Sequence, residues 1–277
     1  MNIIDEIKQQ YKLGDVPQKL IFINILVFLL SIVFFFKFRF GIFDYPNWLA
    51  LSSDYKEVIF YPWTLISYSF FHADPFHLLF NLIFLYFISN LFYTFFNTRQ
   101  FLTVYFLGSF FGGIVYLLYS NLFNHVSLIV GASGSVMAVF IAVAAYSPNM
   151  PLKLPLIGLV KIWHVALFYV LVDLLYLLSD NTGGHIAHLS GSVIGFAFAM
   201  LMKNGIDIST VFIFKKKKNT TFKKVYKNKP VKKYQSVRVS DVNFTQRQID
   251  EILEKISKSG YDSLTKEEKE FLFKENK

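Results

Sequence analysis

Three stretches of the chain, residues 20–36, 101–123 and 126–147, carry no charged side chain. An apolar run of about 18 or more residues is long enough to cross a bilayer as a helix. No other feature limits the fold as strongly. In hydrocarbon every backbone N–H and C=O must be bonded within the spanning structure, and a helix does this segment by segment. Composition agrees, with 54% of the 277 residues hydrophobic and 17% charged, against about 45–50% and about 25% in soluble domains. This excludes a disordered chain, a disulfide scaffold and an ordinary cytosolic enzyme. The chain has no cysteine, which excludes thiol catalysis and Cys-based zinc sites.

Apolar runs interrupted by histidine or glycine raise the expected number of spans to six, at residues 20–38, 76–96, 101–122, 127–147, 162–179 and 185–202. The expected fold is an all-α membrane protein built as a six-transmembrane-helix bundle. Lys8, Lys12, Lys19, Arg99, Lys153, Lys161 and Lys203 would then fall on one side, and only Lys37, Arg39 and Lys56 on the other. The positive-inside rule makes the first side cytoplasmic, together with both termini. Residues 1–19 read as an amphipathic cytoplasmic lead-in with Ile3, Ile4, Ile7 and Tyr11, too acidic for a cleaved signal peptide. The longest external segment is a loop over residues 39–75, rich in aromatics and holding Trp48 and Trp63.

Charge divides the chain. Residues 1–202 hold nine basic and nine acidic side chains, whereas residues 203–277 hold nineteen and ten and carry the whole net charge of +9. The expected parts are the bundle at 20–202, a basic cytoplasmic linker at 203–244 and a helical hairpin at 245–277. From Lys215 through Lys233 there are ten lysines and no acid. Such a cluster is drawn to anionic lipid by about 1 kcal/mol per basic residue, or serves simply as a positive stop after the last span. Nucleic acid is not an expected partner, because the segment is tethered and poor in aromatics. In the hairpin, residues 246–257 put Ile249, Ile252, Leu253 and Ile256 on one face, and Thr265 with Glu268 forms a capping box. A hairpin this small is marginal alone and is expected to dock on a partner, the membrane or a second copy.

Ionisable groups in a membrane are costly, so each needs a reason. His72 and His77 flank the second span, and His185 and His188 open the sixth. Asn81 follows His77 by one helical turn on the same face. Gly131, Ala132, Ser133, Gly134 and Ser135 stand in the fourth span; alone they would read as helix packing. So would Gly108 with Gly112, and Gly191 with Gly195. Together the polar groups suggest acyl transfer. Serine needs a base to act as a nucleophile, and histidine is the usual one near neutral pH. Ser133 and His188 come to similar depth on spans that run the same way. The Ser133 amide, the His77 ring and the Asn81 side chain supply donors for an oxyanion. No metal or other cofactor is needed. Asp173, in the fifth span, is expected to bond to a neighbouring helix or to cavity water, with a role in orienting His188 as the less favoured alternative. A second reading is a metal site on His72/His77 and His185/His188, although no carboxylate accompanies them at zinc-protease spacing.

His77 with Asn81, Gly131-Ala132-Ser133-Gly134, and Ala187-His188 with Gly191 and Gly195 occur in that order on the second, fourth and sixth spans. In this the sequence resembles the rhomboid intramembrane serine proteases of the six-helix bacterial type. Pro62, Trp63 and His72 fit the same pattern. The resemblance implies a Ser133–His188 dyad, and His77, Asn81 and the Ser133 amide around the oxyanion, with Gly131, Gly134, Met137 and Gly191 supporting the site. It also implies transmembrane protein substrates, a bacterial inner-membrane location and a mobile loop near residues 180–184 over the site. Met137 stands where many relatives have Tyr, and Thr64 where many have Arg. A small helical appendage like residues 245–277 occurs on some bacterial relatives. A rhomboid-like pseudoprotease that binds membrane clients without cleaving them is the alternative function.

Overall fold

The structure, a computed structural model, describes residues 2–124, 126–155, 157–178, 181–212 and 240–274. It divides into two units, residues 1–215 and 216–277. The boundary lies about a dozen residues beyond the one that charge suggests, because the chain after the last long helix folds back. Gln100 Nε2 donates to Asp207 Oδ2 at 2.9 Å, and a short 3-10 turn follows at Ile208–Phe212. The basic stretch from Lys215 through Lys233 lies outside the described residues.

The first unit opens with helix α1 (Ile3–Leu13), and α2 (Val16–Phe35) follows directly. The lead-in is thus shorter than expected. Asp15 ends it by accepting the Gln18 N–H at 2.9 Å, and Pro17 suits the first helical turn. The segment before the next long helix is not a plain loop. Strands β1 (Phe36–Lys37) and β2 (Ile42–Phe43) form a hairpin, clasped by an ion pair between Lys37 and Asp44. Strand β3 (Leu51–Ser52) and the short helices α3 (Tyr55–Phe60) and α4 (Thr64–Ser67) come next. The Trp63 indole donates to the Trp48 carbonyl at 2.8 Å, which pins this segment to itself. Helices α5 (Pro75–Phe92) and α6 (Thr98–Phe123) are each opened by a side-chain cap, from Asp74 and from the Asn97/Gln100 capping box.

Strand β4 (Leu128–Ile129) leads into α7 (Ser133–Tyr146); a hairpin of β5 (Pro151–Leu154) and β6 (Gly158–Lys161) leads on to α8 (Ile162–Leu175) and α9 (Thr182–Lys203). Among the described residues four helices are long and apolar enough to cross a membrane, namely α2, α5, α6 and α9; the shorter apolar helices are Ser133–Tyr146 and Ile162–Leu178. The fourth expected span is therefore corrected. Residues 127–131 are not helical: Leu128–Ile129 form β4, which pairs antiparallel with β3, and Gly131 takes φ +135°, so that the chain re-enters helical backbone only at Ala132. With 14 residues α7 is about 21 Å long, short of the roughly 30 Å of a hydrocarbon core. Sequence placed the start of the last helix at residue 185, whereas α9 begins at Thr182 and takes in Gly183 and Gly184. Ser179 and Asp180 lie outside the described residues.

Helix α7 is the centre of the unit, with residues 134–144 buried without a break. Its closest neighbour is α9, which runs parallel to it. A Cβ on Gly191 would fall on the Gly134 carbonyl oxygen, and one on Gly195 would fall on the Ala138 carbonyl oxygen. At the far ends Lys203 Nζ donates to the Ala145 carbonyl at 2.8 Å. Met137, Phe140, Phe92, Phe101 and Phe198 belong to one apolar cluster around α7. The outer faces of α2 and α5 instead leave Leu26, Leu29, Val33, Phe34, Phe76, Phe80 and Phe87 exposed. That is an apolar surface suited to lipid rather than water.

The second unit contains α10 (Ser240–Ser259) and α11 (Lys266–Lys274). The first helix begins earlier than the expected residue 245. Ile252 and Leu264 are buried, while Leu253 is exposed although sequence put it on the packed face. The capping box forms: the Thr265 N–H donates to Glu268 at 2.8 Å, and the Glu268 N–H donates to Thr265 Oγ1 at 3.3 Å. Lys255 Nζ also reaches Glu268, at 2.8 and 2.9 Å, and ties α10 to α11.

Two tests follow from this packing. Gly195→Ala should force α9 away from α7 and lower unfolding stability in detergent by about 1–3 kcal/mol; an unchanged thermal midpoint would show that the two backbones are not in contact. The Lys255 ammonium, then the Thr265 amide, hold the Glu268 carboxyl below its ordinary value of 4.5. Its support for the hairpin is present above that value and lost as pH falls through the lowered one. Hydrogen exchange in the full chain should show protection at residues 265–268 falling over that interval, and Glu268→Gln should remove the pH dependence.

Candidate active site

Ser133 is the first residue of α7, at a helix end that differs from those of α2, α5 and α6. Ala132 stands at the N-cap and offers no side-chain bond. The first amides of a helix have no intrahelical partner and carry the positive end of its dipole. The approach to Ser133 is rigid. Ser127 and Ser53 bond each other through backbone and hydroxyl at 3.1 Å, Tyr116 OH donates to the Ser127 carbonyl at 2.8 Å, and the Gly131 N–H donates to the Tyr68 carbonyl at 3.0 Å. Gly131 is required by its conformation, since φ +135° strains any L side chain. Its missing side chain also leaves room. A Cβ there would lie 2.7 Å from His77 Cε1, 2.9 Å from His77 Nε2 and 3.6 Å from Ser133 Oγ. The His77 ring and the Ser133 hydroxyl therefore border one small space.

His77 is held at the start of α5, where its backbone N–H donates to Asp74 at 2.8 Å. Asn81, one turn on, is buried, and its side-chain amide donates to the His77 carbonyl at 2.8 Å. One of its two N–H groups is thus engaged within α5. His72 is fully buried, with its ring centroid 5.0 Å from that of His77, edge to face. Burial, with His77 nearby, pushes the His72 imidazole down to about 3, so it is neutral.

His188 lies in the second turn of α9. A Cβ on Gly134 would lie 3.1 Å from the carbonyl oxygen of Ala187, so the residue after Ser133 touches the residue before His188. Gly134 and Gly191 create that closeness. Met137 is buried in the apolar cluster on α7. Among the described residues no hydrogen bond joins Ser133 to His188, which instead faces α8. Its Nδ1 is 2.9 Å from Asp173 Oδ1, and His185 Nδ1 is 2.8 Å from the same oxygen. Tyr176 stacks on His185 with centroids 5.5 Å apart. The favoured expectation for Asp173, a bond to a neighbouring helix or to cavity water, is met on α9, where its partners are His185 and His188.

The cluster also changes the metal reading. Sequence found no carboxylate beside the histidines, but folding brings one: ligand atoms of Asp173, His185 and His188 lie within 4.8 Å of one another. His72 and His77 have no part in it. Neither the Tyr68 anchor nor the Ser53–Ser127 pairing could be found from motifs, because their partners are far apart in the chain. The signal for Asp173 was visible, as a lone acid in an apolar run.

Gly131→Ala is expected to displace the His77 ring and destabilise the fold by about 1–3 kcal/mol through backbone strain. Thermal unfolding in detergent and the His77 ring resonances measure this, and an unmoved ring would mean that the space beside Ser133 is larger than the structure gives.

Comparison with known families matches residues 60–205 to a model described as Rhomboid domain. Residues 233–274 match a second, described as a family of unknown function, DUF6576. No curated protein matches the chain. The rhomboid match spans α4 through α9 and includes Ser133, His188, His77, Asn81 and every backbone contact between α7 and α9. With more than half of the chain covered, and apolar helices long enough to cross a bilayer, this membrane protein belongs to the rhomboid family.

Proposed function

We propose that the protein is an intramembrane serine endopeptidase that cleaves transmembrane segments of other membrane proteins through Ser133 and His188. The observation that carries this reading is the small space that Gly131 opens between the His77 ring and the Ser133 hydroxyl, at an uncapped helix end. A carbonyl seated there would meet the nucleophile on one side and oxyanion donors on the other. His188 takes the proton of Ser133 as the hydroxyl attacks, and returns it to the leaving amine. A water then attacks the acyl group, with His188 again as base. The Ser133 amide, the His77 ring and the free N–H of Asn81 stabilise the oxyanion in both steps. Nucleophile and base need not be bonded at rest, since such contacts often tighten only when substrate is bound.

In this reading α7 and α8 join the four longer helices as six spans. The basic residues between spans put both termini in the cytoplasm of a bacterial inner membrane. In the same reading Ser133 lies below the outer surface and takes water from outside, which the length of α7, about 21 Å against a core of about 30 Å, supports. The basic stretch from Lys215 through Lys233 meets anionic lipid as a cytoplasmic linker, and the hairpin binds a protein partner of its own. The absence of a Ser133–His188 hydrogen bond is the one observation that favours a pseudoprotease holding clients uncut.

A fluorophosphonate probe separates the two. The full-length protein in mild detergent should be labelled, and Ser133→Ala and His188→Ala should each abolish both labelling and cleavage of a co-expressed transmembrane reporter. Asn81→Ala should reduce cleavage by roughly tenfold to a hundredfold, because other donors remain. A folded wild type that neither labels nor cleaves would count against the protease and leave the client-binding reading standing.

A further inference from the structure

We infer that Asp173 is a positioning residue for His188, so that the proposed serine chemistry runs on a chain of three residues, Ser133–His188–Asp173, where the motifs supply only two; this rests on the Ser133–His188 reading above. A carboxylate can only accept hydrogen bonds. With Asp173 ionised, the contacts of its Oδ1 with His188 Nδ1 at 2.9 Å and His185 Nδ1 at 2.8 Å are hydrogen bonds only if both Nδ1 atoms carry a proton. A neutral imidazole with its proton on Nδ1 has its lone pair on Nε2. That is the nitrogen on which the proposed mechanism needs a lone pair to receive the Ser133 proton.

The surroundings of Asp173 favour this use. It is 4% exposed and sits in an apolar helix, where a carboxyl without a partner would be costly. Among the described residues its ion-pair partners are the two histidines, with no lysine or arginine. Positive charge that develops on His188 as it takes the proton is then balanced at hydrogen-bond distance. His185 keeps the carboxylate in place from the other side and is itself held against Tyr176. The acceptor for His188 is thus fixed by groups other than His188, as pre-organisation requires. The same three residues could ligate a metal. However, both rings converge on one oxygen at ordinary hydrogen-bond lengths, which satisfies them without an ion.

The test uses full-length protein in detergent and a fluorophosphonate probe, read as a maximal labelling rate and a half-saturating concentration. Asp173→Asn keeps the size of the side chain but can present an amide N–H, which favours the other tautomer of His188. The maximal rate should fall about 10²-fold or more, with the half-saturating concentration unchanged. Asp173→Glu, which restores a carboxylate, should recover part of the loss, and His185→Phe, which keeps a ring against Tyr176, should cost far less. The wild type provides a measurement independent of any variant's folding. With ¹⁵N-labelled histidine, neutral His188 should carry its proton on Nδ1; a proton on Nε2 overturns the inference. Asp173→Asn labelling at the wild-type rate overturns it while Ser133 and His188 stand. A wild type that does not label, or Ser133→Ala that does, removes the underlying reading as well. Loss of labelling on chelation with EDTA, with His185→Phe as damaging as Asp173→Asn, would make the cluster a metal site instead.

Discussion

Helices α7 and α9 touch through backbone rather than side chains, and the rest of the first unit is arranged around that contact. In lipid no hydrophobic force presses helices together, so close association relies on small residues that let backbones approach. Gly191 and Gly195 meet the carbonyls of Gly134 and Ala138 with no room for a methyl group. Because the helices are parallel and in this register, the first turn of α7 lies beside the second turn of α9. Ser133 and His188 are brought together as a consequence, although 54 residues of sequence separate them. Packing and the proposed chemistry depend on the same glycines.

A second constraint is the shortness of α7. Its sequence could have continued as a helix toward residue 127, since nothing between 126 and 133 is charged. Instead β4 leaves the helical path to pair with β3, and Gly131 turns the chain with a positive φ. The helix begins at Ser133 with its amides uncapped. Polar N–H groups are thus left free inside an apolar bundle, beside His77. A capped start would have consumed the donors that the proposed site uses.

The buried polar groups follow the same economy. His185 and His188 both bond one oxygen of Asp173, whose other oxygen is buried without a hydrogen-bond partner, and Asn81 borrows a carbonyl from its own helix. Each polar residue in the spans is costly in isolation and tolerable in company. This explains why the surrounding aromatic residues can remain wholly apolar, and why the outer faces of α2 and α5 can present Leu, Val and Phe to lipid.

The sequence alone was enough for the helical membrane class, the approximate position of most apolar segments and the separate C-terminal hairpin with its capping box, and it named the residues on which the proposed site rests. These are local properties: hydropathy over a window, charge balance and motif spacing act along the chain and can be read along it. It misjudged the start of α7 and the entry into α9, and it left open which groups on the neighbouring helix hold Asp173. Those depend on contacts across 12, 15, 63 or more residues, as between Asp173 and His185, Asp173 and His188, or Gly131 and Tyr68. Local periodicity carries no record of such pairings, because they exist only once α8, α9 and the segment before α5 have packed around α7.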